Sequence, residues 1–318
     1  MNKYFKKYGY YFAAIFSLLL KNYGRAIKYF SEVMRYDFFL FNSSEKYINA
    51  VAKCKETKRF VIRGGVGDIL QSLPFMLLNK SRDYFVLTHF TQADIFFEKI
   101  GLSVSEFCFY ANGAEYKSRA DGVYKSQDVL ISPRSLYFES NPFASGVSPF
   151  ENDDVVVGVH LGASVIESNK SLPIEFLRIL FDTFSLIPCN FLVFCNESEL
   201  SMLHSREITE TERLKLICHS DITVSLGLVS LCDYFVGSDS AFKTMAAMLR
   251  IPTFVLFENT KNGFRDRAFI DRYVDDGVIF AFRPKRIDDA VMRKVAVDML
   301  TKIKEPHAID KKSSFPKN

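Results

Sequence analysis

From residue 59 onward, short apolar runs alternate with stretches whose apolar positions recur every three or four residues. Runs at 60–62, 84–87 and 107–110 have the length of buried strands, and helix-spaced stretches after Asp68 and over 91–100 separate them. Ile69, Leu70, Leu73, Met76 and Leu77 carry the helical spacing of the first such stretch. This alternation predicts βαβ units and a parallel sheet, with one more strand at 129–131. Residues 111–150 are otherwise irregular and polar, which places a domain boundary near 150. The same rhythm then restarts. Strands are predicted at 155–160, 191–194, 214–217, 234–236 and 253–256, with helices over 173–184, 197–206, 224–232 and 242–249. Two such sheets predict an α/β chain of two Rossmann-like domains facing a cleft, with ligands at the carboxyl ends of the strands.

Residues 1–50 follow a different pattern, without clusters of glycine or proline, and read as two or three helices. The apolar run at 10–20 is shorter than the roughly 20 residues a membrane span needs, and it lacks the cleavage site of a secretory signal. Two roles are open for it. It packs Phe, Tyr and Leu side chains on the first domain, or it lays Phe12, Ile15, Phe16 and Leu19 into a lipid surface. Charge bears on the choice. The chain carries a net +4, yet residues 1–36 alone hold seven basic side chains against one acidic residue, Glu32. A basic excess confined to one end excludes a general nucleic-acid protein and predicts one local basic surface. Hydrophobic and charged contents of 48% and 25% are those of a folded soluble chain. The six cysteines form no C-x-x-C pair, which suits reduced cytosolic thiols better than disulfides or a zinc site.

Candidate chemistry sits at the predicted strand ends. After the first strand, Gly64, Gly65 and Gly67 allow a tight turn into a helix with Asp68 at its N-cap. Backbone N–H groups and a carboxylate would then face one cleft, although a capping role alone would also account for Asp68. In the second half, Ser164 and Lys170 follow the strand ending at His160, and Lys170 could hold a phosphate or be an ordinary loop lysine. Asn196 is a predicted N-cap, and Glu197 or Glu199 could accept from ribose hydroxyls or serve the helix dipole. Gly237, Ser238, Asp239, Ser240 and Ala241 join a strand to a helix, an arrangement suited to an anion or to simple capping.

The order and spacing of these motifs resemble glycosyltransferase family 9, the heptosyltransferases of bacterial lipopolysaccharide assembly. Gly67 to Pro74 fits the family pattern G-D-[VI]-L-x-[ST]-L-P at every position. His160–Ser164 with Lys170–Pro173 is similar to H-P-G-[AS]…K-x-[WF]-P, with Leu161 for proline and Leu172 for the aromatic residue. Gly237–Ala247 corresponds to G-N-D-[ST]-G-x-x-H-x-A-A, with Ala241 for glycine and Thr244 for histidine. Arg250–Thr260 corresponds to the closing motif, with Glu258 for its glycine. The resemblance implies a GT-B fold: a helical extension (1–58), an acceptor domain (59–150), a donor domain (151–305) and a polar tail (306–318). It implies an inverting transfer of a heptose or related sugar from a nucleotide-diphosphate donor, ADP-linked in this reading. The acceptor would be a hydroxyl of a surface glycan or lipid-linked glycan (lipopolysaccharide core, O-antigen or capsule). Asp68 would be the general base, with Gly65 and Gly67 in the acceptor-side loop. Ser164, Lys170, Asp239, Ser240 and Ala241 would hold the diphosphate, and Glu197 the nucleoside. No metal and no separate cofactor are implied, since the sequence has no Asp-x-Asp. Nucleic acid is not an expected partner, and the chain would work in the cytoplasm or on the inner face of the inner membrane, touching it through residues 1–36. The changes at Ala241, Thr244 and Glu258 keep open a non-catalytic nucleotide- or glycan-binding subunit of an assembly complex.

Overall fold

A computed structural model describes residues 3–23, 25–26, 29–30, 46, 50, 60–109, 129–130, 137–144, 147–162, 171–185, 187–258 and 273–305. The chain divides into two compact units, Met1–Leu136 and Tyr137–Asn318. In the N-terminal unit, α1 (Lys3–Leu19) precedes a four-stranded sheet. Its strands are β1 (Phe60–Gly64), β2 (Tyr84–Thr88), β3 (Glu106–Phe109) and β4 (Val129–Leu130), all parallel, in the order β3-β2-β1-β4. Helices α2 (Val66–Leu78) and α3 (Ala93–Lys99) make the crossovers from β1 to β2 and from β2 to β3. Phe60, Val61, Ile62, Phe85, Val86 and Leu87 are all buried, as expected of strands covered on both faces. Ile69, Leu70, Leu73 and Met76 of α2 are buried at helical spacing.

The C-terminal unit holds six parallel strands: β5 (Val155–His160), β6 (Cys189–Phe194), β7 (Leu214–Ile217), β8 (Tyr234–Gly237), β9 (Thr253–Leu256) and β10 (Ile279–Phe282). Their spatial order is β10-β9-β8-β5-β6-β7. Counted from β5, that is the 3-2-1-4-5-6 order of a nucleotide-binding Rossmann sheet. The crossovers are α4 (Glu175–Phe184), α5 (Glu197–Ser205), α6 (Ile222–Leu228) and α7 (Ala241–Met248), and α8 (Asp289–Lys304) follows β10. Strand alternation divides the core. Val157, Val159, Phe191, Val193, Val236 and Phe254 pack with α4 and α8 on one face. Phe194 lies on the other face, stacked on Phe242 of α7 at 4.9 Å.

Two expectations change. The first concerns the boundary, which falls at 136/137 rather than near 150. Phe138 N–H donates to Met248 O (2.9 Å), and the Asn141 amide donates to Leu226 O and Gly227 O (3.1 and 3.0 Å). Those bonds satisfy carbonyls of the C-terminal unit, so this stretch belongs to that unit. The second is that β10 and α8, which the sequence pattern did not predict, complete the sheet edge and cover α4. The helical reading of the extension holds for α1 and for residues 23, 25, 26, 29, 30, 46 and 50. Tyr11 and Ala14 of α1 are buried with Ala26 and Phe30. The expected tail at 306–318 lies outside the described residues.

Candidate functional site

In the N-terminal sheet the chain moves outward from β1 through β2 to β3, then returns to β4 on the other side of β1. The switch point of the sheet is therefore between β1 and β4, and the Gly64–Asp68 segment leaves the carboxyl end of β1 beside it. Gly64 has φ +121°, and a Cβ there would lie 2.1 Å from Asp68 Oδ2. Only glycine serves at that position. Asp68 is the third residue of α2 and not its N-cap, because the N-cap is Gly65. Its exposed carboxylate reaches back to accept the Gly65 N–H at 3.0 Å, which fixes it at the mouth of the turn. Thr88 Oγ1 donates to Gly64 O (2.6 Å) and ties the turn to the end of β2. The next residue, His89, lies so close that a Cβ on Gly65 would meet its Cε1 at 2.9 Å and Nε2 at 3.0 Å. No motif in the sequence marks His89. Gly67 is the second residue of α2.

In the C-terminal sheet the switch point is between β5 and β8, and three chain segments converge there. β5 ends at His160, β8 ends at Gly237, and Gly237 has no room for a side chain because a Cβ would lie 2.2 Å from His160 O. Ser238 N–H donates to His160 O (3.0 Å), and its buried hydroxyl donates to Gly162 O. Ser240 caps α7, its Oγ accepting from Lys243 N–H (3.4 Å) and lying 3.0 Å from His160 Nδ1. From the neighbouring β6, α5 brings Glu199 to 4.0 Å from His160 Nε2. A Cβ on Gly162 would fall 1.6 Å from Glu199 Oε1, so the carboxyl group lies directly against that glycine.

Burial sets the electrostatics. It pulls the His160 imidazole down to about 3, so the ring is neutral at physiological pH. Burial also raises Glu199 above the usual carboxylate range, against a smaller opposing effect of its hydrogen bond from Asn196 N–H (2.8 Å). Asp239 is paired with Lys243 one helical turn on, at 2.6 Å, and the lysine is only 1% exposed. The acidic charge at the start of α7 is thus balanced within the site, and the N-terminus of α7 retains its preference for an anion.

The chain is similar to several solved structures. A glycosyl transferase family 9 protein from Veillonella parvula is 11% identical, with a TM-score of 0.46, over 77% of this chain and 96% of that one. E. coli heptosyltransferase WaaC with ADP-2-deoxy-2-fluoro heptose is 10% identical, with a TM-score of 0.49, over 77% and 99%. UDP-GlcNAc 2-epimerase from Methanocaldococcus jannaschii is 10% identical, with a TM-score of 0.42, over 76% and 92%. No protein-family model matches the chain, and no curated protein does.

Among the candidate site residues, Asp239, Ser240 and Ala241 are brought together at the start of α7, and Asp68 stands at the β1 switch point. Ser164 and Lys170 lie outside the described residues. The chain leaves and re-enters that stretch at the carboxyl end of β5, where Leu172 N–H donates to Leu161 O (2.7 Å). Glu197 is an exposed residue in the first turn of α5, while Glu199 is the glutamate that faces His160. Sequence reasoning placed His160 at a strand end and at the head of a motif but gave it no role in the site, and it passed over Lys243. The signal for Lys243 was its i,i+4 spacing from Asp239. The departures from the family pattern have local partners: Thr244 Oγ1 donates to Ser240 O (3.2 Å), and Glu258 Oε1 accepts from Ile287 N–H (3.3 Å).

Proposed function

We propose that the protein is an inverting glycosyltransferase that moves a heptose or related sugar from a nucleoside-diphosphate donor to a glycan hydroxyl. The supporting observation is that each sheet carries, at its own switch point, one of the two chemistries such a transfer requires. The N-terminal unit presents an exposed carboxylate held by a backbone N–H. The C-terminal unit presents a helix N-terminus beside a buried neutral imidazole and a carboxyl group.

In this reading Asp68 takes the proton of the acceptor hydroxyl as its oxygen attacks the anomeric carbon. The bond from that carbon to the diphosphate breaks, and the electron pair leaves on a phosphate oxygen. The first N–H groups of α7 at Ala241, the Ser240 hydroxyl and, by sequence position, Ser164 and Lys170 receive the departing charge. Asp239 does not oppose this, because Lys243 balances it. Glu199 replaces Glu197 as the residue assigned to the ribose hydroxyls, since it is the one directed at the switch point. No divalent ion is given a part, because lysine and a helix terminus supply the positive potential. The acceptor is assigned to bacterial surface glycans, free or lipid-linked, and the donor nucleotide to ADP.

Calorimetric titration with ADP, GDP, UDP and CMP, on wild type and Lys170→Ala, tests the donor site. One diphosphate should bind, and the substitution should weaken it about tenfold or more, the range of a lost charge-assisted contact. Absence of binding by all four would overturn the transferase reading in favour of a non-catalytic subunit.

A further inference from the structure

Helix α1 has two apolar faces, and only one of them is buried. Tyr11, Ala14 and Ser17 recur at i, i+3 and i+6 and are buried. On the opposite face Phe12, Phe16 and Leu19, at i, i+4 and i+7, are 67%, 63% and 75% exposed, and Leu20 continues the stripe at 64%. Large aromatic and aliphatic side chains exposed in a row mark an interaction surface more often than chance scatter does. The segment that carries the stripe is basic. Exposed Lys21 and Arg25 follow the end of α1, and residues 1–36 hold seven basic residues against one acidic residue, Glu32.

We propose that this face of α1 docks flat on an anionic lipid surface, with Phe12, Phe16 and Leu19 in the acyl boundary and exposed Lys21 and Arg25 among the headgroups. Charge selects this occupant. A second copy of the chain on the same stripe would bring two strongly basic segments together, whereas anionic headgroups complement that charge. Length selects the geometry. No helix among the described residues is long and apolar enough to cross a membrane, so α1 lies on the bilayer. This surface belongs to α1 and is independent of the residues at the strand ends.

The test is co-sedimentation of the full chain with phosphatidylcholine vesicles, with and without phosphatidylglycerol. The wild-type protein should pellet with the anionic vesicles and be released by added salt. Phe12→Ser with Phe16→Ser should lower the partition coefficient about tenfold or more. Lys21→Glu with Arg25→Glu, confined to exposed positions, should abolish the preference for anionic lipid and guards against a misfolded first variant. Wild-type protein left in the supernatant with anionic vesicles would overturn the proposal. Equal binding to neutral vesicles would also overturn it, as would a dimer by light scattering that the Phe substitutions dissociate. Nucleotide titration without vesicles should be the same for all these proteins, so failure here and failure of the donor site are told apart.

Discussion

The capping role of Asp68 and its proposed role as general base are separated by one substitution. Asp68 Oδ2 accepts the Gly65 N–H at 3.0 Å, which an asparagine carbonyl oxygen can also do, but only the carboxylate can take a proton. Asp68→Asn should therefore keep its thermal midpoint and its donor affinity while turnover falls by ~10²–10⁴-fold, the range for loss of a general base. Near-normal turnover would leave Asp68 with the capping role only. His160 is tested through pH. Its pKa falls from 6.5 to about 3 on folding because burial disfavours the imidazolium. Between those values the unfolded chain holds a proton that the folded chain does not, so acid favours unfolding. The contribution of His160 to stability is fully present above pH 6.5 and is lost progressively below it, by at most about 1.4 kcal/mol per pH unit. Glu199, raised on folding, has the opposite sign: its contribution is lost as pH rises through its folded pKa. It is common to both proteins in the comparison. Urea midpoints of His160→Gln between pH 7 and 5 should consequently be flatter than those of wild type. Equal slopes would mean that the imidazole is not held neutral.

At the scale of elements, most of the fold was legible in the sequence, because buried parallel strands and amphipathic helices write different periods. β5 to β9 and the helices between them follow apolar runs bounded by Asn196, Asp221 and Ser240, all of which cap helices in the structure. What escaped had weaker signals. In α8 the buried positions Met292, Val295, Ala296 and Met299 are spread among seven charged or polar residues, so its inner face is narrow. β10 is a four-residue edge strand, and its partner β9 defines it more than its own composition does. The start of α2 was misplaced because Asp68 looks like an N-cap in sequence, whereas the chain needs glycine at 64 and 65 to avoid Asp68 and His89. The pairing of His160 with Ser240 and Glu199 was not legible at all. Those residues come from one strand end and two crossovers, and they meet only because β6 and β8 both flank β5. Strand order, which no local pattern encodes, builds the site.

At the scale of the whole molecule, the two units repeat one principle: each parallel sheet leaves a crevice where successive crossovers depart in opposite directions. That repetition makes the location of nucleotide testable without knowing the acceptor. In the proposed reading, a nucleotide in the C-terminal crevice would contact backbone at 160–162, 196–199 and 237–244, where β5, α5 and α7 converge. Opening of these segments must then be preceded by release of the ligand. At a free concentration of about 100 times Kd, the linked stabilisation is about 2.7 kcal/mol, which slows exchange through such openings by up to about a hundredfold. Hydrogen exchange of the full chain, with and without the nucleotide chosen by calorimetry, should show this protection in those three segments together. Amides of β2 and β3, in the interior and edge of the other sheet, should exchange unchanged. Protection confined to residues 60–109 would assign the nucleotide to the N-terminal sheet and remove the donor role from His160, Glu199 and Ser240. Protection at 237–244 without 196–199 would keep the anion site on α7 but take the nucleoside away from Glu199, since that residue reaches the crevice only through the first turn of α5.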